Sequence, residues 1–164
     1  MNTGQLNLVS VGPGATAMIP PIAKDALLCS SDVVGYGLYL QWIAPWLEGK
    51  DVHALPLTKE RERAALALRL AREGRVVSLV SSGDIGVYGL APLVFEMLEP
   101  GETTDVRVIP GITAALSCAS LLGAPLGHDF ATLSLSDLLC PWAWIKERAE
   151  HVAKADIALA LYNI

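Results

Sequence analysis

Short β-rich runs alternate with longer helical stretches along the whole chain, and this alternation constrains the fold more than any other feature. The β-rich runs are Leu6–Val11, Asp32–Tyr36, Val52–Leu55, Val76–Ser81, Val106–Ile109, Phe130–Leu135 and Ile157–Tyr162. The helical stretches between them are Ile22–Cys29, Leu38–Leu47, Lys59–Glu73, Leu90–Leu98, Thr113–Leu122 and Pro141–Lys154. Strand followed by helix, repeated, predicts an α/β fold with a mostly parallel sheet, because parallel neighbours need a crossover and a helix supplies it. Val76-Val77-Ser78-Leu79-Val80 is nearly all apolar, as expected of a central strand covered on both faces.

Composition narrows the class. Hydrophobic residues make up 52% of the 164 and charged ones 18%, which excludes a disordered chain. This balance points to a sheet buried on both faces, or to a large contact surface left uncovered. The net charge is -5 and no run of Lys or Arg occurs, so nucleic acid is not an expected partner. Cys29, Cys118 and Cys140 are widely spaced with no CxxC pair, which reads as reduced thiols in a cytoplasmic protein. The start, MNTGQLNLVSVGPG, lacks the basic residues and apolar core of a signal peptide. Val108 to Gly127 carries no charge and is long enough to cross a bilayer, but Pro110, Gly111, Gly123 and Pro125 interrupt it. A buried helix is predicted there, and no membrane partner.

Helix ends carry recognisable signals. Thr58 is placed to cap Lys59–Glu73, with Arg61 where a capping box has its acid. Gly74 follows as a stop. Leu66 and Leu70 share one face, and the charges of KERER read as a solvated face. Pro20-Pro21 and Pro141 stand where helices can start. The Gly- and Pro-rich Gly123–Asp129 is the expected domain junction, giving an N-terminal α/β domain over 1–125 and a partial one over 126–164. The second has only strand, helix and strand, with two open edges that folded proteins normally pair or cover. The expectation is an incomplete second domain and a chain that is a fragment.

Three loops carry the candidate chemistry. Gly12-Pro13-Gly14 follows the first strand, where a backbone without side chains lets a ligand approach; it also reads as a plain tight turn. Ala17 stands where a GxGxxG would have its third glycine. Ser81 to Gly89 follows the strongest strand and offers three glycines, two serines, Asp84 and Tyr88. Ligands of open α/β sheets bind at such carboxyl ends. Pro110-Gly111-Ile112-Thr113-Ala114 repeats the arrangement, and the Thr113 hydroxyl can serve a ligand or cap a helix. No loop has the lysine of a phosphate-binding P-loop. His128-Asp129 lies at the expected junction and can serve as an acid/base pair or as hinge residues. His53 and His151 read as surface residues. Ser134, Ser136 and Asp137 end a strand and are cleft candidates or turn residues.

GPG after the first strand, VGYG at Val34–Gly37, LVSSGD with YG at Leu79–Gly89, and IPGITAA at Ile109–Ala115 together resemble the tetrapyrrole methyltransferases. LLGAPLGHDFATLSLSDLL at Leu121–Leu139, Pro141-Trp142 and ALYN at Ala160–Asn163 narrow the resemblance to the precorrin-3B C(17)-methyltransferase branch of cobalamin biosynthesis. It covers nearly the whole chain. It implies two α/β domains with a cleft between them, a homodimer, and S-adenosylmethionine as methyl donor. The implied reaction methylates carbon 17 of precorrin-3B, or of its cobalt form, with ring contraction toward precorrin-4. The implied donor contacts are Gly83, Asp84, Ile85, Tyr88, Thr113, Ala114, Tyr162 and Asn163. Gly12, Pro13 and Gly14 are implied to line the tetrapyrrole site, and His128, Asp129 and Asp137 are candidates for the proton transfers of contraction.

Two departures stand out: Ser10 replaces the first glycine of the pattern GxGPGD, and Ala15 replaces its acid. Two other readings compete. One is a non-catalytic truncated homologue that dimerises or binds. The other is a different family member, such as another corrin methyltransferase or a diphthine synthase.

Overall fold

The structure is a computed structural model that describes residues 4–164. Residues 1–3 of the N-terminal stretch read for a signal peptide lie outside it. Strands form at β1 (Gln5–Ser10), β2 (Asp32–Tyr36), β3 (Asp51–Leu55), β4 (Val76–Ser81), β5 (Asp105–Ile109), β6 (Phe130–Ser134) and β7 (Ala158–Tyr162). Helices are α1 (Pro21–Cys29), α2 (Gly37–Trp42), α3 (Glu60–Arg72), α4 (Ala91–Glu96), α5 (Ala114–Leu121) and α6 (Trp142–Lys154). The order and type of element agree with the α/β expectation throughout.

The chain packs as two compact units, one ending at Thr113 and the other running from Ala114 to Ile164. The division falls upstream of the expected boundary at 125/126. A local bond ties α5 to the second unit, since the Ala115 amide donates to the Tyr162 hydroxyl at 2.9 Å.

The first unit is a five-stranded, wholly parallel sheet in the order β3-β2-β4-β1-β5. β1 lies between β4 and β5, with Leu8 opposite both Leu79 and Val108. Alternating side chains feed two cores. On one face Leu6, Leu8, Val77 and Leu79 pack with Ala64, Ala67 and Leu68 of α3 and with Ala91 and Val94 of α4. On the other, Val9, Val11, Val33 and Val80 pack with Ala23 and Leu27 of α1 and with Leu40 and Ile43. A strand covered on both faces must be apolar at successive positions, which explains the run at Val76–Val80. The edge strands differ. β3 is mostly exposed, and β5 carries an exposed Asp105–Arg107 ion pair, as befits edges that must not pair with other chains.

α3 ends in a Schellman motif. Gly74, at φ 87°, donates to the Ala71 carbonyl at 2.9 Å, and Arg75 donates to the Leu70 carbonyl at 3.3 Å.

Several local expectations are corrected. The helix expected over Leu38–Leu47 breaks at Ile43, and a short 3-10 turn follows at Ala44–Trp46. Pro45 lacks an amide and crowds the preceding turn, so an α-helix cannot continue through it. Thr58 does not cap α3; Lys59 holds that position without a side-chain bond. The turn is held instead by Arg63, which donates to the carbonyls of Leu57, at 3.1 Å, and Pro56. Arg63 is therefore buried, contrary to the solvated reading of the KERER charges. The helix expected to be buried within Val108–Gly127 is mostly exposed: α5 buries only Ala115 and Ala119. Among the described residues no helix is long and apolar enough to cross a membrane, and all three cysteines are free.

His53 is not a simple surface residue. Its Nε2 lies 3.0 Å from Oδ1 of the fully buried Asp32, whose Oδ2 accepts from Arg75 Nε and Ser31 Oγ, both at 2.7 Å. Arg75 also pairs with Asp51. This cluster sits where β2, β3 and β4 begin. A buried carboxylate is tolerable only when charged or polar partners replace its water, and here three do.

In the second unit β6 and β7 pair in parallel, with Phe130 opposite Ala158, and α6 connects them. Ile145 is the buried residue of α6, while Leu138, Leu139 and Trp142 ahead of and at its start are exposed.

Glu102 gives the first unit a testable acid sensitivity. Its carboxylate accepts two bonds from Arg72, at 3.0 and 2.7 Å, and one from Thr104 at 2.6 Å. The Arg72 guanidinium, then the Thr104 hydroxyl, hold the Glu102 carboxyl down at about 2 against an ordinary 4.5. A carboxyl depressed in the folded state contributes stability that is complete above its unfolded value and lost as pH falls through the folded one. Urea unfolding of Glu102→Gln should show lower stability than the parent at pH 7, and the gap should close between pH 4.5 and about 2.

Candidate functional site

The sheet changes direction between β1 and β4. From β1 the chain moves through α1 toward β2, on the face of Val9 and Val33. From β4 it moves through α4 toward β5, on the opposite face, that of Leu8 and Leu79. Adjacent strands whose connections leave on opposite faces open a crevice at their carboxyl ends, and this is where open α/β sheets bind ligands. The sequence places Gly12-Pro13-Gly14 and Ser81 to Gly89 there.

These two loops close on each other. The Gly12 amide donates to the Gly83 carbonyl at 3.1 Å, and the Gly83 amide returns the bond at 2.7 Å. Both residues have left-handed backbones, φ 67° and 62°, which glycine adopts without steric cost. A Cβ on Gly14 would stand 3.3 Å from Trp42 Cζ2, a tight contact that glycine avoids, and Pro13 is exposed.

Asp84 extends the joint to the third loop. Its Oδ1 accepts the Gly86 amide at 2.8 Å and its Oδ2 the Gly111 amide at 2.9 Å. The carboxylate expected to meet a ligand therefore also pins the β4 loop to the β5 loop. Ile85 is fully buried and anchors the turn in the core, and its carbonyl accepts the Ala91 amide as α4 begins. Tyr88 is 46% exposed and has φ 52°, a left-handed conformation that costs a non-glycine residue roughly 1–2 kcal/mol. Such strain clusters where loops serve ligands. Thr113 is half-buried and closes the first unit.

Gly111 is required for a different reason, close approach. A Cβ there would stand 2.5 Å from Ser10 Cβ and 2.6 Å from the Gly83 carbonyl oxygen. Ser10 itself is fully buried, and its Oγ accepts the Ile85 amide at 2.8 Å. The sequence reading registered Ser10 only as a departure from glycine. The one available signal was its place at the end of a buried strand, where an unpaired hydroxyl would be costly.

In the second unit, Ala114 opens α5 and the Tyr162 hydroxyl accepts the Ala115 amide. Asn163, at φ 55°, donates from Nδ2 to Ser134 Oγ at 2.8 Å, and Ser134 Oγ also accepts the Ser136 amide at 3.3 Å. Ser134, Tyr162 and Asn163 thus gather at the carboxyl ends of the β6–β7 pair. His128, Asp129 and Asp137 are exposed. The first two precede β6 and the third follows it, and a five-residue strand at about 3.3 Å per residue holds its two ends well apart. The strand thus separates His128 and Asp129 from Asp137, and the second unit by itself does not assemble them into one acid/base site. His151 is exposed on α6, with Nδ1 2.7 Å from the Glu147 carbonyl.

Residues 5–164 match the family described as Tetrapyrrole (Corrin/Porphyrin) Methylases. The chain belongs to this family. Its relatives among curated proteins include a probable cobalt-factor III C(17)-methyltransferase of Salmonella typhimurium, 43% identical over 96% of this chain. Among solved structures, the crystal structure of the methyltransferase CobJ superposes with a TM-score of 0.91 at 43% identity, covering 98% of this chain and 68% of the other. The uroporphyrin-III C-methyl transferase of Thermus thermophilus, solved in complex with S-adenyl homocysteine, gives 0.63 at 29% identity over 80% of this chain and 59% of the other. This tetrapyrrole methylase chain spans 66% of the Salmonella relative's length. Both the α/β fold class and the family resemblance read from the sequence agree with these likenesses.

The close approach at Gly111 sets a sharp requirement. Gly111→Ala forces either the Ser10 side chain or the Gly83 carbonyl to move, and overpacking of this kind costs about 1–3 kcal/mol. Chemical unfolding should register that loss. Faster hydrogen exchange at Gly12 and Gly83, with the β2 amides unaffected, would place the damage in the loops.

Proposed function

We propose that this chain carries the donor-binding part of an S-adenosylmethionine-dependent methyltransferase that acts on carbon 17 of precorrin-3B, or of its cobalt form, in cobalamin biosynthesis. One observation carries the reading. Three small-residue loops, at Gly12–Gly14, Gly83–Tyr88 and Gly111–Thr113, converge at the carboxyl ends of β1, β4 and β5, tied together by Asp84 and the Gly12–Gly83 bonds. The names of the relatives support the substrate class, and the family supports the donor.

Methyl transfer from a sulfonium is an in-line displacement. The new bond forms at the substrate carbon as the sulfur–methyl bond breaks, and that electron pair stays on sulfur. The donor is already activated, so the protein's task is positioning, and rigid backbone loops suit it. Gly83, Asp84, Ile85, Tyr88, Thr113 and Ala114 are the proposed donor contacts, with Tyr162 and Asn163 at the end of β7. Gly12, Pro13 and Gly14 are proposed for the tetrapyrrole. His128, Asp129 and Asp137 are proposed for the proton transfers of ring contraction, which needs general acids and bases.

We also propose a homodimer. Leu121, Leu122, Leu138, Leu139 and Ile164 are each more than 70% exposed, and this much exposed apolar surface supports a protein partner. The three free thiols support a cytoplasmic setting. The same apolar surface favours a second reading, a non-catalytic module that pairs without binding the donor.

Calorimetric titration of the 164-residue chain with S-adenosylhomocysteine separates the two readings. Saturable binding, abolished in Asp84→Ala, is the expected outcome. A folded chain that takes up no ligand would exclude the donor reading and leave the pairing module.

A further inference from the structure

The β1 strand ends in a serine whose hydroxyl is wholly inside the protein and serves a loop far away in sequence. Ser10 Oγ accepts the Ile85 amide at 2.8 Å, across a sequence separation of 75 residues. Ile85 lies between Asp84, whose carboxylate takes the Gly86 and Gly111 amides, and Gly86 itself. The amides of Gly83, Ile85 and Gly86 are thus all engaged inside the protein, by Gly12, Ser10 and Asp84 in turn. Ser10 supplies a side-chain anchor from β1. Its Cβ also fills the space that Gly111 leaves open, so that a Cβ on Gly111 would stand 2.5 Å away. Remove the hydroxyl, and Ile85 keeps a buried amide with no acceptor. That is an unfavourable state, which the turn can relieve only by rotating out of its present shape.

We propose that Ser10 is a positioning residue for the methyl donor: through the Ile85 amide it holds the Gly83–Gly86 turn in its binding shape before the donor arrives. The inference rests on the donor reading given above. A turn that is already ordered loses less conformational freedom when a ligand binds, so the hydroxyl contributes to affinity without touching the ligand.

The test compares Ser10→Ala with Ser78→Ala in the full chain. Ser78 is also a fully buried serine, on β4 ahead of the Gly83 loop, and its hydroxyl bonds Ser30 Oγ at 2.7 Å rather than an amide of the glycine loops. It reports what losing a buried hydroxyl does to the fold alone. Two readouts are needed: amide exchange at Ile85 by NMR in the ligand-free chain, and the dissociation constant for S-adenosylhomocysteine. Ser10→Ala is expected to speed Ile85 exchange and to weaken ligand binding, each by roughly tenfold, the scale of one unsatisfied buried donor. Ser78→Ala is expected to change neither, whatever it does to the melting temperature. Equal weakening by both substitutions would make Ser10 a merely structural residue and overturn the proposal. So would unchanged Ile85 exchange or unchanged affinity in Ser10→Ala. If the unsubstituted chain binds no S-adenosylhomocysteine, the donor reading itself fails and the role of Ser10 toward a donor falls with it; the exchange result then shows separately whether the serine holds the turn.

Discussion

The pairing of β1 with β4 is the constraint on which the first unit depends. The two strands run in register from Gln5 opposite Val76 to Ser10 opposite Ser81, and the paired stretch then closes in the reciprocal Gly12–Gly83 bonds. Everything else is organised around this seam. The connections leave it on opposite faces, which creates two separate cores and an opening at one end. The buried valines and leucines make the seam rigid, and the glycines beyond it let the two loops touch without side chains between them. Asp84 and Ser10 then add polar ties only where the ladder has run out.

The two ends of the same sheet solve different problems. At the amino ends of β2, β3 and β4 a fully buried aspartate is balanced by His53, Arg75 and Ser31, and Arg75 is shared with Asp51. Breaking such a group by removing one partner costs far more than the intact group contributes, so its partners depend on one another more than they add net stability. At the carboxyl ends the polar groups are backbone amides, received by the Asp84 carboxylate, the Ser10 hydroxyl and the Gly12 and Gly83 carbonyls. The first arrangement joins the starts of three strands. The second shapes a surface that a small molecule can approach. This division follows a general rule of open α/β sheets, in which ligands are met at the carboxyl ends and the far side is left to stability.

Much of this was legible in the sequence. All seven strands and the order of helices followed from alternation and apolar runs, because burial on both faces demands apolar residues at consecutive positions. The three glycine loops were legible for the same reason: glycine next to a buried strand marks a place where the backbone must come close. What escaped was decided by partners far away in sequence. Thr58 had the pattern of a cap, but Arg63 reaches back to the Pro56 and Leu57 carbonyls and holds the turn itself. His53 looked like a surface histidine because its partner Asp32 is 21 residues away and is brought within reach, diagonally across the ladder, only by β2–β3 pairing. Ser10 looked like a lost glycine because the amide it serves belongs to another loop. The break at Ile43 was local, written in Pro45, and was simply outweighed by the apolar periodicity around it.

The strand order also governs how the molecule comes into being. β1 precedes the other strands of its sheet and is paired along both edges, yet neither of its partners is its neighbour in sequence. β4 begins at Val76 and β5 at Asp105, so β1 must wait through three α-helices and two other strands before its first ladder can form. Closing contacts over such separations is slow, and until then an apolar strand with both edges open is exposed to whatever else is near. β2 and β3 can pair with each other early and shelter in α1 and α2, but β1 cannot. A ribosome that has made the stretch from β1 through β3 therefore holds the future centre of this sheet as its least protected part.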